Sequence, residues 1–127
     1  MHCVTETHSF NRAASEAGMD DDDVARLKNF LAANPDAGAL IQGTGGARKL
    51  RFAKPGRGKS GSYRVITYYT ADDIPVFLMD VYTKGEKINL TAKEKAELKK
   101  ELESFADEYR AMIREKVQEM KRSEVAS

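Results

Sequence analysis

The chain's middle third reads as three strands joined by turn-forming segments, and that meander constrains its fold more than any other feature. Ala47 to Ala53 alternates, with Arg48, Leu50 and Phe52 on one side and Lys49 and Arg51 on the other. A period of two is the mark of a strand. Pro55 to Ser62 is a glycine-rich basic loop. Tyr63 to Thr70 is dense in β-branched and aromatic residues, which favour a pleated surface. Ala71-Asp72-Asp73 suits a hairpin turn, and Ile74 to Thr83 is the next strand. Much of that last strand is apolar on both faces, which places it centrally in a sheet.

Helical periodicity flanks the meander. After a short β-leaning segment, His2 to Thr7, the residues Phe10, Ala13, Ala14 and Ala17 recur at helical spacing, and Gly18 suits a C-terminal stop. The acidic run Asp20–Asp23 resembles a metal site, but a helix start explains it better. Asp20 caps, and the acids behind it lie where the helix dipole favours negative charge. Val24, Leu27, Phe30 and Leu31 then form an apolar face that ends at Asn34-Pro35. Gly43-Thr-Gly-Gly46 is a loop. Thr91-Ala-Lys-Glu94 is a capping box opening a helix of about 30 residues, roughly 91–121. Its stripe comprises Leu98, Leu102, Phe105, Tyr109, Met112, Ile113, Val117 and Met120. Such a helix outruns a small sheet, so its distal half is left for a partner, a second copy or solvent. The expected fold class is α+β, one domain over residues 1–127: a small, mainly antiparallel sheet, two N-terminal helices and a long C-terminal helix.

The formal net charge of +1 conceals a strong local field. From Ala37 to Ala71 there is no acidic residue, while Arg48, Lys49, Arg51, Lys54, Arg57, Lys59 and Arg64 contribute seven positive charges. Residues 1–36 sum to −4, residues 72–85 to −2 and residues 86–127 to zero. A one-signed block of this kind suits a polyanion, nucleic acid first, and otherwise forms a solvated face. No apolar run is long enough for a membrane span, and the N-terminus lacks a signal-peptide core. Cys3 is the only cysteine, which fits a reducing cytoplasm and a small residue in a terminal strand. With only His2 and His8, a histidine-rich metal site or a two-histidine nuclease is disfavoured. Gly58-Lys59-Ser60 resembles the end of a phosphate-binding P-loop. The pattern requires glycine where Ala53 stands and a helix where a strand follows, so a nucleotide site is rejected.

The segments Ile41-Gln-Gly-Thr-Gly-Gly-Ala-Arg-Lys-Leu-Arg51, Gly58-Lys-Ser-Gly-Ser-Tyr-Arg64, Ile66-Thr-Tyr-Tyr69 and Val81-Tyr-Thr-Lys-Gly-Glu-Lys87 followed by Leu90 resemble the RelE/ParE superfamily of toxins, in its HigB-type branch. The likeness covers roughly residues 1–105 and is most specific over 41–90. It implies a cytoplasmic toxin of a bacterial type II toxin–antitoxin pair. Many such toxins cleave mRNA in the ribosomal A site. A cognate antitoxin, of helix-turn-helix type, would silence it and would be its only link to DNA. ParE-like members share the fold but inhibit DNA gyrase, and a non-catalytic RNA-binding protein is a further alternative.

Metal-independent RNA cleavage needs a proton taken from the 2′-oxygen, a stabilised phosphorane and a proton given to the leaving 5′-oxygen. Without a histidine pair, Lys, Arg and Tyr remain. No cofactor is called for. Lys49, Arg51 and Arg64 would cluster if their strands are neighbours. The resemblance matches Arg64 to a phosphate-binding arginine. It matches Tyr82 and Lys84 to a region supplying catalytic or base-stacking groups, and Lys49 and Arg51 to the basic strand. The expected catalytic set is therefore Lys49, Arg51, Arg64, Tyr82 and Lys84. Arg48, Lys54, Arg57, Lys59 and Lys87 are expected to contact RNA. Tyr63, Tyr68 and Tyr69 either stack bases or pack in the sheet, with packing the commoner fate.

Overall fold

The computed structural model of the protein describes residues 2–53, 62–83 and 91–126. Its elements run β1 Val4–Glu6, α1 His8–Ala17, α2 Asp21–Ala33, β2 Ala39–Leu40, β3 Ala47–Ala53, β4 Ser62–Tyr68, β5 Val76–Thr83 and α3 Ala92–Ala126. The strands form one sheet in the order β1-β5-β4-β3-β2. The meander β3–β4–β5 is antiparallel, β2 pairs antiparallel with β3, and β1 adds to β5 in parallel. The sequence pattern anticipated the meander and the helices. It missed β2, whose two residues are too few to show a period.

Local chemistry explains the boundaries. Thr7 caps α1 by accepting the Phe10 N–H, and Gly18 ends it at φ 81°, a left-handed conformation that costs glycine little. Asp20 and Asp23 form a reciprocal capping box at α2. Asp23 is buried, and burial pushes its carboxyl up. The Arg26 guanidinium at 2.9 Å and the Asp20 N–H more than offset that and hold it below the usual range. The acidic run thus belongs to the helix start. Thr91 and Glu94 form the second box, at α3. Gly38 has φ 98°, and a Cβ there would meet the Lys49 carbonyl oxygen at 2.8 Å, so only glycine lets the chain enter β2 against β3.

The sheet is covered on both faces. Against α1 and α2 pack Leu50, Tyr63, Val65, Val76, Leu78 and Val81, meeting Phe10, Leu27 and Leu31. Against α3 pack Ala47, Tyr68, Ile74 and Phe77, meeting Leu102 and Ala106. Phe77 makes edge contacts with Phe105 and Tyr109, at centroid distances of 4.6 and 5.6 Å. Tyr63 and Tyr68 are therefore core residues. Tyr69 donates its hydroxyl to Asp72, which raises its pKa. Two residues and one helix end depart from expectation. Cys3 is exposed, one residue before β1. Phe30 is 41% exposed and lies off the core face of α2. α3 continues five residues past the expected end, and Met112, Ile113, Val117 and Met120 are exposed along its distal half.

Candidate functional site

α3 covers only part of its face of the sheet. The half nearer Ala53, Ser62 and Thr83 carries the residues the sequence singles out. Strand alternation, fixed by Leu50, Tyr63, Val65 and Val81 in the α1/α2 core, turns Lys49, Arg51, Arg64 and Tyr82 to the α3 side. The register makes Arg51 the direct partner of Arg64, and Arg64 the direct partner of Tyr82. The next row is Lys49, Ile66 and Asp80. The Lys49 ammonium lies 5.9 Å from the centre of the Tyr82 ring, within reach of a cation–π attraction.

The row of two arginines is electrostatically unfavourable in isolation. Like charges directly opposite across a ladder repel. Arg51 is exposed, but Arg64 is half-buried, and among the described residues its Nη1 has no hydrogen-bond partner and almost no solvent contact. A shielded cationic donor without an acceptor is costly. An anion set against Arg51 and Arg64 would relieve both terms, and a guanidinium fork matches the non-bridging oxygens of a phosphate.

A β-bulge shapes the rest of the site. Ile66 pairs with Asp80 but Thr67 pairs with Leu78, so Met79 is an extra residue in β5. Leu78 and Val81 both enter the α1/α2 core although three positions separate them. The extra residue keeps Met79, Asp80 and Tyr82 all on the α3 side. Without it the alternation would turn Asp80 and Tyr82 away. The spacing of Leu78 and Val81 is the only sequence trace of this device.

Lys49, Ile66, Met79, Asp80 and Tyr82 line a cleft of about 750 Å³ between the half-covered sheet, β2 and the first turns of α3, with the arginine row beside it. Its walls are aliphatic at Leu40, Ile41, Ile66 and Leu98, and aromatic at Tyr82. Carboxylates enter it from Asp80 and, along one flank of α3, from Glu94, Glu97 and Glu101. None of these acids is in the expected set, which rested on the acid-free basic block and on the family resemblance.

Arg48 lies on the opposite face and donates Nη1 to the Tyr69 carbonyl at 2.9 Å. Lys54, Arg57, Lys59, Lys84 and Lys87 lie outside the described residues. His2 is within 2.8 Å of the Ile74 carbonyl oxygen through Nε2, and His8 opens α1, so neither histidine lines the cleft. Among the described residues no helix is long and apolar enough to cross a membrane.

Comparison with known proteins gives two findings. A sequence profile described as the RelE toxin of the RelE/RelB toxin–antitoxin system matches residues 3–126. Among solved structures, the chain resembles a double arginine-to-alanine mutant of the E. coli toxin RelE in the free state. Identity there is 17% and the TM-score 0.46, over 66% of this chain and 84% of that one.

Proposed function

We infer that the arginine row, with the cleft beside it, cleaves RNA, from the premise that the chain belongs to the RelE toxin family of toxin–antitoxin systems. It is a toxin with a cognate antitoxin. On our reading it cuts mRNA in the ribosomal A site, in the cytoplasm, and so blocks translation. Its motifs over 41–51 and 81–87 favour the HigB-type branch.

The observation that carries this reading is the pairing of Arg51 with Arg64, whose Nη1 is shielded and unpartnered among the described residues. A protein that works only by binding another protein has no need of such a site. A phosphodiester does. Arg64 and Arg51 would hold the non-bridging oxygens and stabilise the extra charge of the phosphorane. The 2′-oxygen loses its proton, bonds to phosphorus and expels the 5′-oxygen, which takes up a proton. The products are a 2′,3′-cyclic phosphate and a 5′-hydroxyl. Tyr82, beside Arg64 in its row, and Lys49 in the next, its ammonium 5.9 Å from the Tyr82 ring centre, are the described groups suited to moving those protons. Lys84 is a further candidate.

Induced expression without the antitoxin tests this. Pulse labelling should show protein synthesis falling before DNA synthesis, and mapping of mRNA 5′ ends should reveal new cuts within codons. Early loss of DNA synthesis with double-strand breaks would establish the gyrase alternative instead.

A further inference from the structure

We propose that the distal half of α3 pairs antiparallel with the same half of a second copy of this chain, about a two-fold axis beside Val117. α3 is fastened to its own sheet as far as Tyr109, which meets Phe77, and Arg110, which meets Asp73. Residues 111–124 are all exposed. At 1.5 Å per residue they project roughly 21 Å beyond the last sheet contact. Met112, Ile113, Val117 and Met120 continue over this stretch the stripe that packs Leu102, Phe105 and Tyr109 onto the sheet. A helix of this length is marginal in water without packing on its apolar side.

Geometry sets the direction and register of the pair. The exposed stretch has its midpoint next to Val117. An antiparallel partner centred there sets Ile113 beside the partner's Met120, and Met120 beside the partner's Ile113. The overlap ends near Arg110, where the sheet begins, so neither sheet obstructs the other helix. A parallel pair has no such register. Each residue would face its own copy, and each sheet would occupy the space of the partner's proximal helix.

Charge makes the same choice. Lys116 lies on the stripe, one turn from Met112, Ile113 and Met120, and Glu119 lies one turn further along the same edge. Among the described residues neither has an ion-pair partner within the chain. In an antiparallel two-fold pair like edges meet, so Lys116 stands against the partner's Glu119, and Glu119 against the partner's Lys116. In a parallel pair Lys116 would stand against itself. The face is therefore complementary to its own copy in one orientation only. Residues 111–124 number fewer than the roughly 20–30 a side of a stable interface, so the dimer is a weak, reversible one. Both arginine rows lie at the far end of the sheet from Asp73 and stay uncovered, and the pairing does not depend on the RNA-cleaving reading.

Sedimentation equilibrium of the full chain, from micromolar to millimolar concentration, tests the proposal. The parent should show a monomer–dimer equilibrium with a dissociation constant on the order of 10–100 µM. Lys116→Glu and Glu119→Lys should each weaken it about tenfold, because each turns two symmetry-related attractions into repulsions. Combining them restores opposite charges across the antiparallel seam, and the constant should return to within about threefold of the parent's. Ile113→Asp should leave only monomer. All three positions are exposed on one helix, and circular dichroism confirms that each variant keeps it. A parent that stays monomeric at millimolar concentration overturns the pairing, and so do single reversals that associate like the parent or a double reversal no better than either. A monomeric parent whose Ile113→Asp variant loses the antitoxin assigns the face to another protein, which refutes the second copy as its occupant.

Discussion

Replacing Arg64 by methionine should stabilise the protein and abolish its activity. Methionine keeps an unbranched stem of similar length in the half-buried position on β4 but removes the guanidinium. Two costs disappear with it. One is the shielded Nη1 without a hydrogen-bond partner among the described residues, worth about 1–3 kcal/mol. The other is the direct cross-strand repulsion from Arg51, worth about 0.2–1 kcal/mol. An arginine head group also packs against its neighbours, and forfeiting that packing offsets part of the gain. The expected net effect is a gain of about 1–2 kcal/mol, which in a domain of this size raises Tm by roughly 4–8 °C. Cleavage should fall by about 10²–10³-fold, the loss typical of one group that stabilises transition-state charge. Thermal unfolding followed by circular dichroism gives the first number, and single-turnover cleavage on programmed ribosomes the second. A methionine variant destabilised by more than about 1 kcal/mol would make Arg64 part of the sheet's scaffold. A stabilised variant that still cleaves at the parent's rate would remove Arg64 from the phosphate site.

Three other outcomes are expected. The Arg110 guanidinium, 2.7 Å from Asp73, holds that carboxyl below its usual range. The folded value being depressed, the bridge stabilises at neutral pH and is lost as pH falls through that value, so Tm curves of the parent and Arg110→Ala should converge in acid; a gap that persists there refutes this. Phe77→Ala removes a side chain only 1% exposed that anchors α3 through Phe105 and Tyr109. It should cost about 3–5 kcal/mol in urea unfolding, and a loss below about 1 kcal/mol would mean that α3 is held elsewhere. Neutralising Arg57 and Lys59 together should weaken ribosome binding and flatten its salt dependence. Saturating ribosomes should restore the cleavage rate, whereas a rate that stays low assigns these two residues to the chemistry.

The sequence made legible whatever depends on local period and local capping. The alternation of Ala47–Ala53 sorted Lys49 and Arg51 from Arg48 onto opposite faces, as the packing of Leu50 and Phe52 requires. Asp20 and Thr91 marked two helix starts because a cap and its N3 partner lie within one turn. Features set by pairing between distant segments were not legible. β2 exists only because β3 offers it an edge, and β1 joins β5 in parallel across some seventy residues. The bulge at Met79 is a mismatch between two strands, and neither strand encodes it alone. Asp80 escaped notice for that reason, since a strict period of two assigns it to the wrong face. The glutamates of α3 escaped for a related one. Their spacing defines a flank, but which flank meets the cleft depends on how the helix is rotated on the sheet. Phe77 wedged against Phe105 and Tyr109 sets that rotation, and Arg110 on Asp73 secures it. The acids of the cleft and the core packing of α3 are therefore one structural problem: a substitution that lets α3 roll would move Glu97 and Glu101 relative to Lys49 and Tyr82 without altering any residue in the cleft.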